Sequence, residues 1–337
     1  MGKRIFVTGA AGFIGSHLIE RLTKDPSTIV VGIDSLEDYY SVGLKSERLK
    51  LLESHHNFHF RNLNLNDVSS LSSLFQEFQP EGVYHLAAQA GVRLGPKHLS
   101  RYFDSNVTGF ASIFSKSLEF GVSDFLYASS SSVYGRNATV PFSESDESAT
   151  PESLYGWTKW LNEQTVGGIR FKNEYSMRAR GLRFFTVYGH LGRPDMAYFR
   201  VLTSLLTGST FRIFGDANVA RDFTFIDDVV RISVELGNQI ATEPPGFVDV
   251  VNVGGGRPVS LAEYISMSEQ IVGRSLNLLE TDGFRDDLPL THASNRYLNG
   301  LLGTQSFVKL EEALTRMLPW FEKNARQLDD WVDSVRS

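Results

Sequence analysis

The 337-residue sequence predicts an α/β protein with a doubly wound parallel sheet and a smaller C-terminal part. Three observations predict this fold class. Short runs of β-branched and aromatic residues alternate with amphipathic helix patterns in the first half, a glycine-rich segment follows the first run directly, and the alternation weakens after about residue 190. A hydrophobic content of 42% is sufficient for a large buried core.

The elements of the first half follow in a regular order. The predicted strands are residues 4–7, 29–33, 58–61, 82–85 and 125–128. The amphipathic segments between them predict helices at residues 14–22, 44–52, 68–78 and 102–120. Strands that alternate with helices pair in parallel through right-handed crossovers, and a ligand then lies at the carboxyl ends of the strands. We therefore expect the ligand site at that edge of the sheet.

The second half is interrupted by loops that carry proline and glycine, at residues 189–194, 244–246 and 254–256. It contains a helical pattern at residues 261–272, and we interpret the segment around residues 320–331 as a polar tail. The expected organisation is a cofactor-binding domain of residues 1–185 and a substrate-binding domain of residues 186–337, which can return segments to the first.

Composition argues against several functional classes. The chain has no cysteine, so it cannot form disulfides, thiolate metal sites or cysteine nucleophiles. The net charge is −6 and no block of lysine and arginine occurs, so a nucleic-acid partner has no electrostatic support. Residues 1–7 lead into a short apolar run that glycines follow at once, which predicts neither a signal peptide nor a membrane span and favours a cytoplasmic protein.

The histidines do not favour a metal site. Their spacing matches no metal-ligand motif, and the sequence contains neither HExxH nor an acidic cluster. His85 ends the fourth predicted strand, and we interpret it as a core or loop histidine whose hydrogen bonds are satisfied. No metal is expected.

A glycine-rich segment, TGAAGFIG, connects the first strand to the first helix and places Gly9, Gly12 and Gly15 three residues apart. Gly9 permits a tight turn, Gly12 lets the backbone approach a pyrophosphate, and Gly15 lets the helix pack closely on the sheet. The N-terminus of the helix faces the anion. A glycine motif alone is weak, but its position between a strand and an amphipathic helix predicts a dinucleotide cofactor.

Asp34 ends the second strand, at the distance where a carboxylate accepts hydrogen bonds from an adenosine ribose. The same carboxylate would repel a 2′-phosphate, so NAD is favoured over NADP. The alternative is an aspartate that faces solvent at a strand end. Asn64 follows the third strand, where it either contacts the adenine edge or forms a turn.

Tyr155 and Lys159 form a YxxxK pair within a predicted helix, and a spacing of four places both side chains on one helical face. An ammonium group beside a buried phenol lowers the pKa of the phenol, and oxidised nicotinamide adds to this effect. Tyr155 can then act as base and acid near neutral pH. The alternative, an exposed helical pair, is disfavoured by YASSSSVYG, a segment that ends the fifth strand with hydroxyl groups at the cofactor edge or forms a polar turn there.

These motifs occur in a recognisable series. The series is TGAAGFIG, HLAAQAGV at residues 85–92, YASSSSVYG, YGWTK, RFFTVYG at 183–189, GRPDMA at 192–197 and RDFTFIDD at 221–228. Over nearly the whole chain it resembles the extended short-chain dehydrogenases/reductases, which have a Rossmann sheet. Within that family it is most similar to the UDP-glucuronate 4-epimerases, and GRPDMA together with DYY…LK…RL at residues 38–49 is the most specific part.

The resemblance implies roles for individual residues. The catalytic set is Ser130, Tyr155 and Lys159. The cofactor-binding residues are Gly9, Gly12, Phe13, Ile14, Gly15, Asp34, Asn64, Leu65, Leu86, Ala87 and Ala88, together with Tyr155 and Lys159. The substrate-binding residues are Ser130, Ser131, Ser132, Thr186 and Arg193 around the sugar and Arg221 at the nucleotide diphosphate. A homodimer is also implied, because such epimerases commonly pair through two long helices, here residues 102–120 and 154–173.

The implied reaction is NAD-dependent inversion at carbon 4 of a UDP-sugar, UDP-glucuronate to UDP-galacturonate, through a transient 4-keto intermediate. Nucleotide-sugar dehydratases carry a pair of carboxylates where this chain has Ser131 and Ser132, so dehydration is disfavoured. Two alternatives are a 4-epimerase of a neutral UDP-sugar, such as UDP-glucose, UDP-galactose or an N-acetyl analogue, and a non-catalytic NAD-binding regulator. Intact Tyr155 and Lys159 argue against the regulator.

Overall fold

A computed structural model describes residues 3–91, 98–169, 175–281 and 288–335. The strands are β1 (Arg4–Thr8), β2 (Ile29–Asp34), β3 (Phe58–Asn62), β4 (Gly82–His85), β5 (Asp124–Ser130), β6 (Arg178–Phe184), β7 (Thr186–Tyr188), β8 (Phe211–Phe214), β9 (Ala220–Phe225), β10 (Val248–Val253), β11 (Pro258–Ser260) and β12 (Leu278–Thr281). The helices are α1 (Phe13–Thr23), α2 (Val42–Leu52), α3 (Val68–Phe78), α4 (Leu99–Tyr102), α5 (Gly109–Glu119), α6 (Leu154–Ile169), α7 (Ala197–Thr207), α8 (Ile226–Ile240), α9 (Leu261–Val272), α10 (Arg296–Leu302), α11 (Leu310–Lys323) and α12 (Ala325–Asp333).

Seven parallel strands form the large sheet, in the order β10-β6-β5-β4-β1-β2-β3. The direction of strand addition reverses between β1 and β4, and a ligand crevice opens at such a switch point, outside the carboxyl ends of the strands. The predicted fold class, a doubly wound Rossmann sheet, is confirmed. The first five predicted strands are β1 to β5, each within two residues of its predicted bounds.

Both faces of the central strands are buried, which explains why β1 and β2 are apolar almost without interruption. On one face Ile5 and Val7 of β1 belong to a core that includes α1, α2 and α8. On the other face Phe6 packs with residues of α3 and α5 and with Val166 of α6. Alternate side chains of β1 therefore pack into two separate cores, one on each face of the sheet. Burial on both faces holds the carboxyl edge of the sheet in place.

The second half of the chain builds two small sheets and also extends the large one. Strands β11, β9 and β7 form a three-stranded sheet, and β12 pairs with β8. Strand β10 pairs with β6 at the edge of the large sheet, so the chain returns to that sheet after residue 185. The division at residue 185 stays a prediction, because these pairings do not define independent domains.

Helix predictions succeeded in the first half of the chain and at α9, and failed at the C-terminus. The helix predicted at residues 261–272 is α9. The helix predicted at 102–120 is interrupted by a π-helical turn, Phe103–Thr108, before α5. The polar tail around residues 320–331 was wrong. That segment belongs to helices α11 and α12, which are amphipathic and bury Phe321, Leu328 and Trp331 against the core.

Some predicted features fall outside the described ranges. Val92, which ends the HLAAQAGV motif, is one of them, and residues 170–173, which end the second helix of the expected dimer, are others. Among the residues that the structure does describe, no helix is long and apolar enough to cross a membrane.

Candidate active site

A cavity of about 1030 Å³ opens at the carboxyl edge of the large sheet. All of the residues that we predicted to bind cofactor or substrate line this cavity, from Gly9, the first of the predicted set in the chain, to Arg221, the last. The structure therefore brings the whole predicted set together at the switch point between β1 and β4. The role of each residue stays a prediction, whereas the structure shows that these residues line one cavity.

The glycine-rich loop is packed too closely for other residues. Gly9 has a φ of +73°, and a Cβ there would lie 2.8 Å from the backbone nitrogen of Ala87, which follows β4. A Cβ on Gly15 would lie 2.1 Å from the Gly9 carbonyl oxygen. Helix α1 begins with Phe13 and Ile14, and its N-cap residue, Gly12, has no side chain to cap the first turn. The N–H groups of residues 9–12 are used within the fold, so the uncapped first turn of α1, where Phe13 and Ile14 line the cavity, is the part that suits a pyrophosphate.

Asp34 lies at the end of β2 and lines the cavity beside this loop. Its carboxylate accepts hydrogen bonds from the backbone N–H groups of Ala11, at 3.0 Å, and Leu36, at 2.8 Å. These bonds fix the carboxylate at the mouth of the glycine-rich loop rather than in open solvent. Asn64 also lines the cavity, with Leu65 after it, but its side-chain oxygen accepts from the backbone N–H of Asn66 at 2.9 Å, so it forms the turn that was the alternative interpretation.

We predict that the protein binds NAD more tightly than NADP, because a 2′-phosphate would approach the Asp34 carboxylate. Asp34→Asn should reduce that preference by about tenfold, the usual size of one screened charge interaction. Titration of both cofactors, followed by protein fluorescence, measures the preference. Glu20→Gln is the matched control, since it removes the same charge from the exposed side of α1. Equal affinity of the parent protein for the two cofactors would show that Asp34 does not contact the ribose.

The predicted catalytic residues lie where β5 ends and α6 begins. Tyr155 and Lys159 are one turn apart on α6, and Lys159 Nζ lies 5.8 Å from the centre of the Tyr155 ring. The Lys159 ammonium donates a hydrogen bond to the Ala128 carbonyl of β5, at 2.9 Å, so it is tied to the sheet edge. The Ser130 hydroxyl donates to the Ser132 hydroxyl at 3.2 Å and accepts from the Ser132 backbone N–H at 3.1 Å, and it lies close enough to the Tyr155 phenol to influence its pKa.

The electrostatics of this group differ from our expectation. Burial raises the pKa of the Tyr155 phenol above its ordinary value, and the Arg193 guanidinium and the hydrogen bond with Ser130 oppose that increase. Burial also lowers the pKa of the Lys159 ammonium to about 8. Arg193 is thus a cation that lowers the pKa of Tyr155 and that the spacing within α6 did not predict, while the Lys159 ammonium donates to the Ala128 carbonyl.

Arg193 lies in the loop between β7 and α7, where GRPDMA was predicted to approach the substrate. Its Nε donates to Asp195 Oδ1 at 3.0 Å, and its Nη2 donates to the second oxygen of the same carboxylate. The Tyr39 hydroxyl donates to that carboxylate as well, at 3.3 Å. Asp195 therefore engages the edge of the Arg193 guanidinium that carries Nε and Nη2. The third nitrogen, Nη1, takes no part in this ion pair. Thr186, at the start of β7, lines the same part of the cavity.

Arg221 and two of the serines complete the predicted substrate side. Arg221 lies on β9 and lines the cavity, with a hydrogen bond from its Nη1 to the Ala220 carbonyl at 3.0 Å. Ser131 and Ser132 begin the short 3-10 helix that follows β5 and face the same space. Hydroxyl and guanidinium donors therefore surround the position where the phenol of Tyr155 meets the cavity.

A buried network beneath the site was missed. The Glu163 carboxylate accepts from Arg183 Nε and Nη2, at 2.9 Å and 2.7 Å, and from the Ser129 hydroxyl. Ser129 also lines the cavity, but its hydroxyl is engaged by Glu163. A signal was present in the sequence, because Tyr155, Lys159 and Glu163 repeat every four residues along α6. The ion pair ties that helix to β6 and supports the catalytic face.

His85 has the core role that we predicted. Its ring is buried, and Nδ1 shares a 2.7 Å hydrogen bond with the Thr8 hydroxyl. Burial and, to a smaller extent, Lys159 lower the pKa of His85 to about 3, so the ring is neutral at physiological pH. Within the described parts of the chain, no group of three histidine or carboxylate side chains is placed to hold a metal ion.

The fold and the site together define a class of protein. A doubly wound sheet, a glycine-rich loop at its switch point and a Ser–Tyr–Lys group at its carboxyl edge are the features of nicotinamide-dinucleotide enzymes of the short-chain dehydrogenase type. Comparison with known families agrees, since the model of the NAD dependent epimerase/dehydratase family matches residues 5–254. The chain belongs to this family.

Three relatives show how far the similarity extends. Protein CapI of Staphylococcus aureus is 38% identical over 331 residues, which cover 94% of this chain and 98% of the relative. A UDP-glucuronate 4-epimerase of Thermodesulfobacterium geofontis is 35% identical over 319 residues, covering 94% and 96%. The crystal structure of a UDP-glucuronic acid 4-epimerase from Bacillus cereus, in complex with UDP-glucuronic acid and NAD, superimposes with a TM-score of 0.87 at 33% identity and covers 95% of this chain and 99% of its own.

Proposed function

We propose that this protein uses NAD to invert carbon 4 of UDP-glucuronate, giving UDP-galacturonate. The observation that carries the proposal is the position of Arg193, whose charge acts on the Tyr155 phenol from within the same cavity. In a glucuronosyl unit the carboxylate lies on carbon 5, next to the carbon that reacts. A cation beside the acid-base residue is therefore where an enzyme for this substrate needs one.

Two relatives support the substrate class. The Bacillus cereus enzyme was crystallised with UDP-glucuronic acid and NAD, and the Thermodesulfobacterium protein is a UDP-glucuronate 4-epimerase. Both similarities cover more than nine tenths of this chain.

The residues present fit a bound NAD. The glycine-rich loop leaves no room for a Cβ at Gly9 or Gly15. The uncapped first turn of α1 would hold the pyrophosphate, and Asp34 would hold the adenosine ribose. Lys159 would hold the nicotinamide ribose from the floor of the cavity. When bound, the cofactor would accept a hydride from carbon 4 of the sugar, return it to the opposite face, and carry the positive charge that favours the Tyr155 phenolate.

The chain's own residues manage the protons and the orientation. The Tyr155 phenolate takes the proton of the 4-hydroxyl group and returns it at the end of the cycle. Ser130 donates a hydrogen bond to the 4-oxygen, which keeps that oxygen beside the phenol as the 4-keto sugar forms. Ser131 and Ser132 line the cavity with hydroxyl groups rather than carboxylates, so neither can act as the base that dehydration requires.

A neutral-sugar 4-epimerase is the second candidate, and one observation favours it. The Asp195 carboxylate already engages one edge of the Arg193 fork, which reduces the positive charge available to a substrate carboxylate. The regulator hypothesis has no such support, because Tyr155, Lys159 and Ser130 are in place around one cavity.

A panel of UDP-sugars tests the proposal directly. The purified protein is incubated with NAD and with UDP-glucuronate, UDP-glucose or UDP-N-acetylglucosamine, and the epimers are separated by chromatography. We expect the 4-epimer of UDP-glucuronate to form with the highest kcat/KM. Preference for UDP-glucose or its N-acetyl analogue would establish the second candidate, and no turnover of any sugar would revive the regulator.

We further propose that the protein forms a homodimer through the helices around residues 99–119 and 154–169. Large apolar side chains on these helices are exposed in the single chain, at 46% for Phe103, 45% for Trp157 and 40% for Leu161. Contiguous exposed apolar side chains of this kind favour a protein interface. Sedimentation equilibrium should give twice the chain mass for the parent protein, and Leu161→Glu should shift it towards the monomer.

The cellular location is also a proposal. We infer a cytoplasmic enzyme, because the chain has no cysteine with which to form disulfides and its family depends on NAD. Fractionation of source cells, with detection by antibody, tests this assignment.

A further inference from the structure

Arg48 is a fully buried arginine on α2 that none of the roles above uses. Its guanidinium donates four hydrogen bonds, to the carbonyls of Leu191 at 2.9 Å, Gly192 at 2.8 Å and Ala11 at 2.9 Å, and to the Tyr40 hydroxyl at 2.7 Å. Three carbonyls and a phenol are neutral acceptors, so these bonds do not neutralise the guanidinium. A buried cation is costly to keep in a core without a specific purpose.

The acceptors of Arg48 belong to both halves of the site. Ala11 lies within the glycine-rich loop that precedes α1, where the cofactor pyrophosphate is proposed to bind. Leu191 and Gly192 lie more than 140 positions later in the chain, immediately before Arg193. The planar guanidinium therefore connects the cofactor loop with the loop that carries the proposed carboxylate contact.

The turn that Arg48 holds is conformationally strained. Leu191 has a φ of +56°, in the left-handed region that side chains with a Cβ rarely adopt. The next residue, Gly192, lies against Tyr198 so closely that no larger residue fits there. A Cβ on Gly192 would lie 1.8 Å from the Tyr198 hydroxyl oxygen. The hydrogen bonds from Arg48 to the Leu191 and Gly192 carbonyls fix the peptide planes of this turn and hence the direction in which the chain enters Arg193.

We propose that Arg48 is a positioning residue, which sets the location of Arg193 relative to the cofactor by holding the 191–192 turn against the glycine-rich loop. The proposal rests on the function proposed above, because the consequence concerns the carboxylate of the 4-keto intermediate. That intermediate is a β-keto acid, which loses carbon dioxide when its carboxylate is free to rotate. Arg48 thus protects the epimerisation from decarboxylation without touching substrate or cofactor.

The test variant is Arg48→Lys, which keeps the positive charge but loses the planar fork that reaches two loops at once. Arg180→Lys is the matched control, since Arg180 is equally buried but pairs with Asp249 on β10, away from the cavity. Both variants weaken the core, so thermal unfolding shows how much stability each one loses. A role that is structural in general would affect the two variants alike.

With UDP-glucuronate as substrate, we expect Arg48→Lys to increase the share of decarboxylated 4-keto pentose by about fivefold, the effect of one or two lost hydrogen bonds. NADH should accumulate on the protein at the same time, and Arg180→Lys should keep the product ratio of the parent. Amide hydrogen exchange in residues 189–194 should also be faster in Arg48→Lys alone. If Arg48→Lys does not fold, Tyr40→Phe removes one of the four acceptors and should shift the ratio in the same direction, by about twofold.

The outcomes separate the two proposals. If the parent epimerises UDP-glucuronate and Arg48→Lys keeps both its product ratio and its exchange rates, the positioning role is wrong and the proposed function stands. If the parent does not act on UDP-glucuronate, the proposed function fails, and hydrogen exchange alone decides whether Arg48 holds the turn.

Discussion

Tyr155→Phe is expected to lower kcat by a factor of about 100 or more, the usual effect of removing a general acid-base residue. The phenylalanine keeps the ring and its packing, so NAD and UDP-glucuronate should still bind. Ser130 cannot replace the phenol, because its hydroxyl is far less acidic. Lys159 cannot replace it either, because its ammonium donates to the Ala128 carbonyl. Steady-state kinetics with UDP-glucuronate and cofactor titration measure the two effects.

Tyr102→Phe is the matched control for this substitution. Tyr102 is also buried, its ring centre lies 6.5 Å from that of Tyr155, and its hydroxyl donates to the Gly91 carbonyl. Loss of this hydroxyl should change kcat by only a few-fold. Turnover of Tyr155→Phe within a few-fold of the parent would remove Tyr155 from the role of base.

The pH profile supplies a second readout of the same role. Activity in the oxidation step requires the phenolate, and burial raises the pKa of Tyr155, so kcat/KM should rise with pH as the phenol ionises. Because Arg193 lowers this pKa, Arg193→Ala should move the rising limb to higher pH. A limb of unchanged position would mean that the group that titrates is not Tyr155.

Arg193→Ala and Thr186→Val are expected to divert the reaction to a different product. Once carbon 4 is a ketone, the carboxylate on carbon 5 is lost most readily when its bond stands perpendicular to the carbonyl plane, so the enzyme must hold it in another orientation. Arg193 and Thr186 both line this part of the cavity. Loss of a charged hydrogen bond from Arg193 should raise the share of 4-keto pentose by about tenfold, and Thr186→Val should raise it less.

Product analysis by chromatography, with parallel absorbance of reduced nicotinamide, measures this diversion. NADH should accumulate because the ketone leaves before it is reduced. Arg212→Ala is a suitable control, since Arg212 is an exposed arginine on β8 and does not line the cavity. If both site variants keep the product ratio of the parent, the assignment of the carboxylate to this loop is wrong, whatever the overall rate.

The local sequence predicted the features that depend on residues close together in the chain. The two-residue period of strands such as β1, the 3.6-residue period of α9 and the glycine spacing before α1 each describe neighbours within one element, so the pattern alone was sufficient. The same holds for Tyr155 and Lys159, which share a face because they are one helical turn apart.

The C-terminal segment shows where local pattern was misread. Helices α11 and α12 contain many charged residues, which suggested a tail. Phe321 of α11 and Leu328 and Trp331 of α12 nevertheless belong to the same core as residues of α7. The helical period of apolar residues was present in this segment. Such a period predicts a packed helix only if the rest of the fold offers an apolar surface against which the helix can pack.

By itself, the sequence determined the fold class, the position of the cofactor loop and the pairing of Tyr155 with Lys159 on one helical face, because each follows from the pattern of residues close together in the chain. Ser130 was assigned from the family resemblance. Only the tertiary structure decided the partners of the charged side chains. Arg48 meets Leu191 across 143 positions, Arg183 meets Glu163 from a different element, and Asp195 takes one edge of the Arg193 fork. An arginine has the same local signature whether it faces solvent or a buried carbonyl, so its role is set by the chain that folding brings against it.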